Sequence, residues 1–570
     1  MSISSDTAVP RPSTALDAVA DAILMEQARL SPTFATGAGI AGFETELDDY
    51  SPAGAEASAA SARDAIAKIA ATEAIDEVDR VTVAAMTERL GLSLEEYEAG
   101  DHLRDLNNIA SPLQGIRDTF DLMATATTED WETIDERLAK VPAALAGYRA
   151  SLAEGLSRGL IPARRQVGIG VEQANDLSRP GSFFDSFTAS ARPDGSPLPE
   201  ALRDDLAAHA EAARQAYGDL AAFLADDLAP AAPEADGVGR ERYDRASRSF
   251  LGAVVDFEET YAWGLDELDR IVAEQKAVAA EIAGPGATIA EAVAQLDSED
   301  RWFLEGADAL AAWMTETSQE AISFLDGRHF DIDPRLHRLE CLIAPTHSGA
   351  IYYTGPSEDL SRPGRMWWSV PESVTRFATW RERTTVYHEG VPGHHLQIGQ
   401  SVIEPTLNRW RRLGCWVSGH GEGWALYSER LMDEFGFLAT PADRLGMLDG
   451  QLLRACRVVI DLGVHLALPC PDRFGGGVWD EPKAWNLLVT HIADDEAFLR
   501  FELDRYLGWP GQAPSYKIGQ RLWEQARADA RQRAVARGEV FDLKAFHSDA
   551  LTLGPLGLDV FAQALAGQFA

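Results

Sequence analysis

The sequence predicts a mainly α protein, with a large helical body and a small β-sheet beside one histidine-rich helix. Segments 61–71, 131–156, 199–225 and 241–283 are rich in Ala, Leu, Glu and Arg, and their apolar residues recur at three and four. Gly/Pro clusters at 179–182, 192–197, 230–239 and 284–286 separate these segments, a spacing that suits antiparallel helices joined by loops. After Gly327 the texture changes. Segments 338–343 and 349–354 are short, apolar and β-prone, and the Pro-Thr-His-Ser turn at 345–348 between them predicts a hairpin. A further helix is predicted to start near Pro371 or Glu372 and to run to His388.

Composition bounds what such a body can do. The 570 residues, 46% apolar and 25% charged, are ordinary for a globular protein. One domain is expected, with an N-terminal helical lobe over 1–235 and a lobe carrying the chemistry over 236–570. The 90 acidic against 51 basic residues give a formal charge of -39, which argues against nucleic acid as a partner. Cys341, Cys415, Cys456 and Cys470 are widely spaced and suggest neither a disulfide framework nor a thiolate metal site. The first seven residues lack a basic-then-apolar pattern, and no stretch of about twenty apolar residues occurs, so a soluble cytoplasmic protein without a membrane partner is expected.

The chemistry concentrates in Tyr387-His388-Glu389-Gly390-Val391-Pro392-Gly393-His394-His395. Histidine is the commonest metal ligand, and glutamate beside such a ligand is a ready general base. The run reads as a stretched form of H-E-x-x-H, the zinc-peptidase motif whose histidines lie four apart on one helical face. Here the second histidine comes six residues on (His394) or seven (His395). A helix turns about 100° per residue, so six steps put His394 about 240° round, and seven put His395 about 10 Å along the axis. Two nitrogens on one zinc lie only about 3.5 Å apart. The helix must therefore be interrupted. Gly390 and Gly393 tolerate unusual dihedrals, and Pro392 cannot donate to the carbonyl of His388. A bulge between two helical pieces is predicted, delivering His394 to the metal with His395 as the alternate.

A third ligand is expected from a neighbouring helix, leaving the fourth position to water. Glu422, 28 residues after His394 and flanked by glycines, is the leading candidate, with His420 as competitor. Glu429 lies too far along the axis to share the ion and suits an acceptor role behind a ligand histidine. Two further stretches carry unusual polarity. Arg454, Arg457, Asp461 and His465 recur at three and four on an otherwise apolar helix and need partners if buried. The 506–519 stretch holds Tyr506, Gln512, Tyr516 and Lys517 in a Gly/Pro-shaped turn. Tyr516, Tyr506 or His465 are candidates to stabilise a tetrahedral oxyanion. Arg457 or Lys517 could hold a substrate carboxylate, and Gln512, Tyr352 and Tyr353 join the substrate-binding candidates.

Taken together, these stretches resemble the bacterial domain-of-unknown-function 885 family. The segments that carry the resemblance are Asp49-Tyr50-Ser51-Pro52, Tyr352-Tyr353 through Arg362-Pro363-Gly364, the run from His388 to Gln397, Glu422-Gly423-Trp424-Ala425-Leu426-Tyr427, Pro510-Gly511-Gln512 and Ser515-Tyr516-Lys517. They span nearly the whole chain. The family is regarded as similar to helical zinc peptidases of the angiotensin-converting-enzyme-like and thermostable-carboxypeptidase-like groups. That implies a helical body split by a deep central cleft with the metal at its floor.

The resulting expectation is a zinc-dependent peptidase acting on peptides. His388, His394 and Glu422 would hold the metal, and Glu389 would take a proton from the attacking water and pass it to the leaving amine. The rival is an inactive helical peptide-binding protein on the same scaffold. A di-iron oxidase would need E-x-x-H pairs, and none of the 12 histidines has Glu three residues before it. The single G-x-S-x-G match, around Ser157, follows a helical segment and reads as that helix's end.

Overall fold

The computed structural model describes residues 11–344, 351–370 and 374–570. The chain is mainly α, as the periodicity predicts. The predicted helices occur but break where local chemistry demands. The 131–156 segment forms two helices, Thr128–Leu138 and Val141–Arg158, because Pro142 fits only a helix's first turn. The 241–283 segment divides into Arg240–Leu251 and Phe257–Ala283. Gly252 separates them with φ at 58°, and a Cβ there would lie 2.2 Å from Gly557 Cα. Ser157 sits in the last turn of the Val141–Arg158 helix, capped by left-handed Gly159, so it has no strand-to-helix elbow.

The buried apolar residues fall into separate clusters. Residues between Leu106 and Ala232 build a core of their own. The helices Ala15–Leu30, Pro52–Ala70 and Glu77–Glu98 instead pack into the larger core formed with the chain beyond Tyr243. The four cysteines are free and buried. Among the described residues no helix is long and apolar enough to cross a membrane.

Among the described residues five short strands form two sheets: β1 (Phe303–Glu305), β2 (Leu339–Ile343), β3 (Tyr352–Thr354), β4 (Gly364–Trp368) and β5 (Arg376–Ala378). The predicted hairpin of β2 with β3 is not formed. β4 lies between them, parallel to β2 and antiparallel to β3. β4 alternates Gly364, Met366 and Trp368 inward with Arg365 and Trp367 on the other face, and this two-faced pattern suits a central strand. The turn predicted at 345–348 lies outside the described residues.

The motif helix runs from Thr379 to Glu389, later than predicted, because residues 376–378 pair with β1 as strand β5. Its expected start near Pro371 lies outside the described residues. The helices that build the site are, in order, this one, its continuation His394–Ile403, a carboxylate-bearing helix Ser418–Glu434, a long central helix Pro441–His465, and then Glu496–Gly508 and Ser515–Ala536.

Candidate metal centre

The interruption between the two motif helices takes four residues. Gly390 ends the first helix and Gly393 opens the second, and neither has helical dihedrals. The turn is closed by its own backbone. Gly393 N–H donates to the Tyr387 carbonyl at 3.1 Å, and His395 N–H to the Gly390 carbonyl at 3.0 Å. It is also clasped from the carboxylate helix, where Trp424 Nε1 donates to the Pro392 carbonyl at 2.8 Å. A Cβ on Gly393 would sit 1.9 Å from the His388 carbonyl oxygen. Gly393→Ala is therefore expected to destabilise the fold at the upper end of the about 1–3 kcal/mol typical of overpacking, measured by denaturant unfolding; a loss under about 0.5 kcal/mol would show that the turn yields freely.

The turn brings His394 beside His388. The ring centroids are 4.9 Å apart and perpendicular. Glu422 reaches both from the carboxylate helix, with Oε2 3.3 Å from His388 Nε2 and 3.4 Å from His394 Nε2. One donor atom from each of the three lies within 4.8 Å of the others. Glu429, two turns further on the same helix, meets the other ring nitrogen of His388, with Oε1 2.8 Å from Nδ1. Behind it, Gln451 donates to Glu429 at 3.3 Å and accepts from Lys517 Nζ at 2.6 Å. Burial alone would depress the His388 imidazolium, but the bonds to Glu422 and Glu429 outweigh it and hold its pKa up to about 10. Burial raises the Glu389 carboxyl pKa, against the pull of His388 and His394. Glu389 is buried, and its Oε2 has no hydrogen-bond partner among the described residues.

Several expected site residues are placed elsewhere. His395, the alternate ligand, turns away from the cluster: its Nε2 donates to the Leu336 carbonyl at 2.8 Å, which leaves Nδ1 to accept from the Tyr353 hydroxyl at 2.9 Å. His420 faces Trp523 and Phe561 and takes a bond from Gln397 at 3.2 Å. Tyr506 donates its proton to Glu502 at 2.6 Å. His465 Nε2 donates to the Tyr506 carbonyl at 2.9 Å, so its proton is committed behind the site. Asp461 accepts from Tyr243 and from Gly511 N–H. Lys517 is paired with Glu267 at 2.9 Å and bonded to Gln451 and Gln520, which leaves it no role as a carboxylate anchor. Gln512 accepts twice from Arg505. Tyr352 is exposed and stacks on Trp367, whereas Tyr353 lies over His394 with ring centroids 6.5 Å apart.

Tyr516 differs from the other tyrosines. Its hydroxyl oxygen accepts from Arg505 Nη2 at 3.2 Å, and among the described residues its own proton has no acceptor. Burial and the charge of Glu422 both raise its pKa. A seam of glycines brings it near Glu422. A Cβ on Gly423 would lie 2.4 Å from the Gly519 carbonyl carbon, and one on Gly519 would lie 2.1 Å from the Gly419 carbonyl oxygen. The Ser418–Glu434 and Ser515–Ala536 helices thus touch backbone to backbone. Sequence reasoning passed over Glu502 and Arg505, whose signal is a pair of charges three apart on the buried side of a helix. It also passed over Trp416, half exposed beside His394 at 6.3 Å, for which the sequence carries no signal.

Fold and site together define a mainly α protein with two imidazoles and a carboxylate converging on one point, backed by a second carboxylate. The chain belongs to the family described as "Bacterial protein of unknown function (DUF885)", whose profile matches residues 32–565. Two solved structures share the fold. One is titled a "putative lipoprotein" from Colwellia psychrerythraea, 21% identical with TM-score 0.82 over 97% of this chain and 98% of that one. The other is titled a "putative lipoprotein of unknown function" from Shewanella oneidensis, 19% identical with TM-score 0.73 over 97% of this chain and 100% of that one. Comparison with curated proteins returns no match.

Proposed function

We propose that this chain is a zinc-dependent peptidase, related in its donor set to the helical gluzincins. The observation that carries the reading is the convergence of His388, His394 and Glu422 within 4.8 Å beside a buried Glu389 whose Oε2 has no hydrogen-bond partner among the described residues. The residues fit the metal. Two imidazoles and one carboxylate are a zinc donor set, and Glu429 supplies the acceptor that orients a ligand histidine. Bound zinc would polarise the scissile carbonyl and acidify a water.

The chain's own groups supply the rest. Glu389 accepts the proton of the attacking water and returns it to the departing amine. Burial raises its pKa, which favours a carboxylate that takes a proton from water over one that stays ionised throughout. Tyr516 donates its uncommitted O–H to the oxyanion. Tyr353 does not compete for that role, since its proton goes to His395; it fixes β3 against the second motif helix.

Purification without chelator, followed by metal analysis and a mixed-peptide cleavage assay, tests this reading. About one zinc per chain, cleavage abolished by 1,10-phenanthroline and restored by zinc is the expected result. Substoichiometric metal, with peptides bound but not cut whether or not chelator is present, would make the chain an inactive peptide-binding protein on a peptidase scaffold.

A further inference from the structure

Beneath Tyr516 the charges do not balance. Arg457 is 4% exposed, Arg505 6%, and the one carboxylate they share, Glu502, 2%. Glu502 Oε2 accepts from Arg457 Nη2 and from the Tyr506 hydroxyl, each at 2.6 Å. Its Oε1 accepts from Arg505 Nη1 at 3.0 Å. Both guanidiniums hold Glu502 down to a pKa of about 2, although burial alone would raise it. Gln512 Oε1 takes two further Arg505 N–H groups, at 3.1 and 2.7 Å. Two guanidiniums against one carboxylate leave one positive charge, and Arg457 Nη1 is buried without an acceptor among the described residues. Burying an unmatched charge and an unmade hydrogen bond is unfavourable, so the arrangement calls for a reason.

The geometry supplies one. The Arg457 guanidinium carbon lies 4.6 Å from the centre of the Tyr516 ring and that of Arg505 lies 5.7 Å away. Arg505 also bonds the phenol oxygen directly. Tyr516 is only partly buried, and it lies three residues before Gly519, whose backbone touches Gly419 and Gly423 on either side of Glu422. The excess positive charge therefore faces the candidate metal centre through this one side chain.

We propose that Arg505 and Arg457 are positioning residues that act through Tyr516. This rests on the peptidase reading and adds to it. Arg505 occupies a lone pair of the phenol oxygen, so the phenol's own proton points away from Arg505 and stays free to donate. The unmatched charge polarises that O–H, and it gains a partner only when negative charge develops on the substrate's carbonyl oxygen. Interactions realised only at that moment lower the barrier without tightening substrate binding.

Calorimetry on zinc-loaded protein in the Glu389→Gln background tests the proposal without turnover. Two probes are compared: a phosphinic peptide, whose anionic tetrahedral centre stands in for the oxyanion, and the corresponding ordinary peptide. Tyr516→Phe is expected to weaken the phosphinic peptide by about 100-fold while leaving the ordinary peptide within about 3-fold. Arg505→Gln should weaken the phosphinic peptide by about 10-fold, but by less than about 2-fold when added to Tyr516→Phe. Arg505→Lys, which keeps the charge, should recover part of the loss; it also carries the cycle if Arg505→Gln does not fold, as checked by thermal melting. Factors that multiply in the double variant, or an Arg505 effect equal on both probes, would overturn the proposal and leave the peptidase reading standing. If protein with Glu389 intact cleaves no peptide and the zinc-loaded protein binds neither probe, that reading falls and takes the proposal with it.

Discussion

Glu389→Gln is expected to retain a full complement of zinc and to lose about 10²- to 10⁴-fold in kcat. The side chain is 6% exposed, and one of its oxygens meets no donor among the described residues. Glutamine keeps its size and half of its hydrogen-bonding capacity but cannot carry a proton between water and amine. Little structural change should follow, since no hydrogen bond to the free oxygen is lost. Metal analysis alongside steady-state kinetics on one peptide separates the two effects. Unchanged turnover would remove Glu389 from the base role. Lost turnover together with lost zinc would make it a ligand or a structural group instead.

Glu422→Gln is expected to have the next largest effect, on the metal itself. Its Oε2 is the atom that both imidazoles approach, at 3.3 and 3.4 Å. Removing that charge takes away one of three donors and unbalances two buried rings. A change behind a ligand costs about 10- to 100-fold in metal affinity, and this is the loss expected for Glu429→Gln. Glu422→Gln should exceed it, by competition against a chromophoric chelator. If Glu422→Gln holds zinc as tightly as the parent while Glu429→Gln does not, the roles of the two carboxylates are reversed.

The geometric conflict in the motif was legible because it could be computed from helix rise and turn alone. Two histidines six apart could not meet on a straight helix, and the residues between them were those that break one. The two-turn spacing of Glu422 and Glu429 likewise foretold that both could not reach one ion. The structure sets them at the two different nitrogens of the His388 ring. What escaped the sequence depends on partners remote in the chain. Lys517 looks like a free cation until the helix carrying Glu267 is packed against it. Tyr506 and Tyr516 look interchangeable until each proton is traced, one to Glu502 and the other to no acceptor among the described residues. The strand order escaped for a similar reason: β3 is too short to choose its neighbour, and the longer β4 takes the central place.

The contact of Gly419 and Gly423 with Gly519 has a mechanical consequence. With no side chain between them, the supports of Glu422 and Tyr516 act as a single jaw whose gap is set by main-chain thickness. A bulkier residue anywhere along that contact would disturb both at once, so this part of the sequence has little scope to drift by small steps.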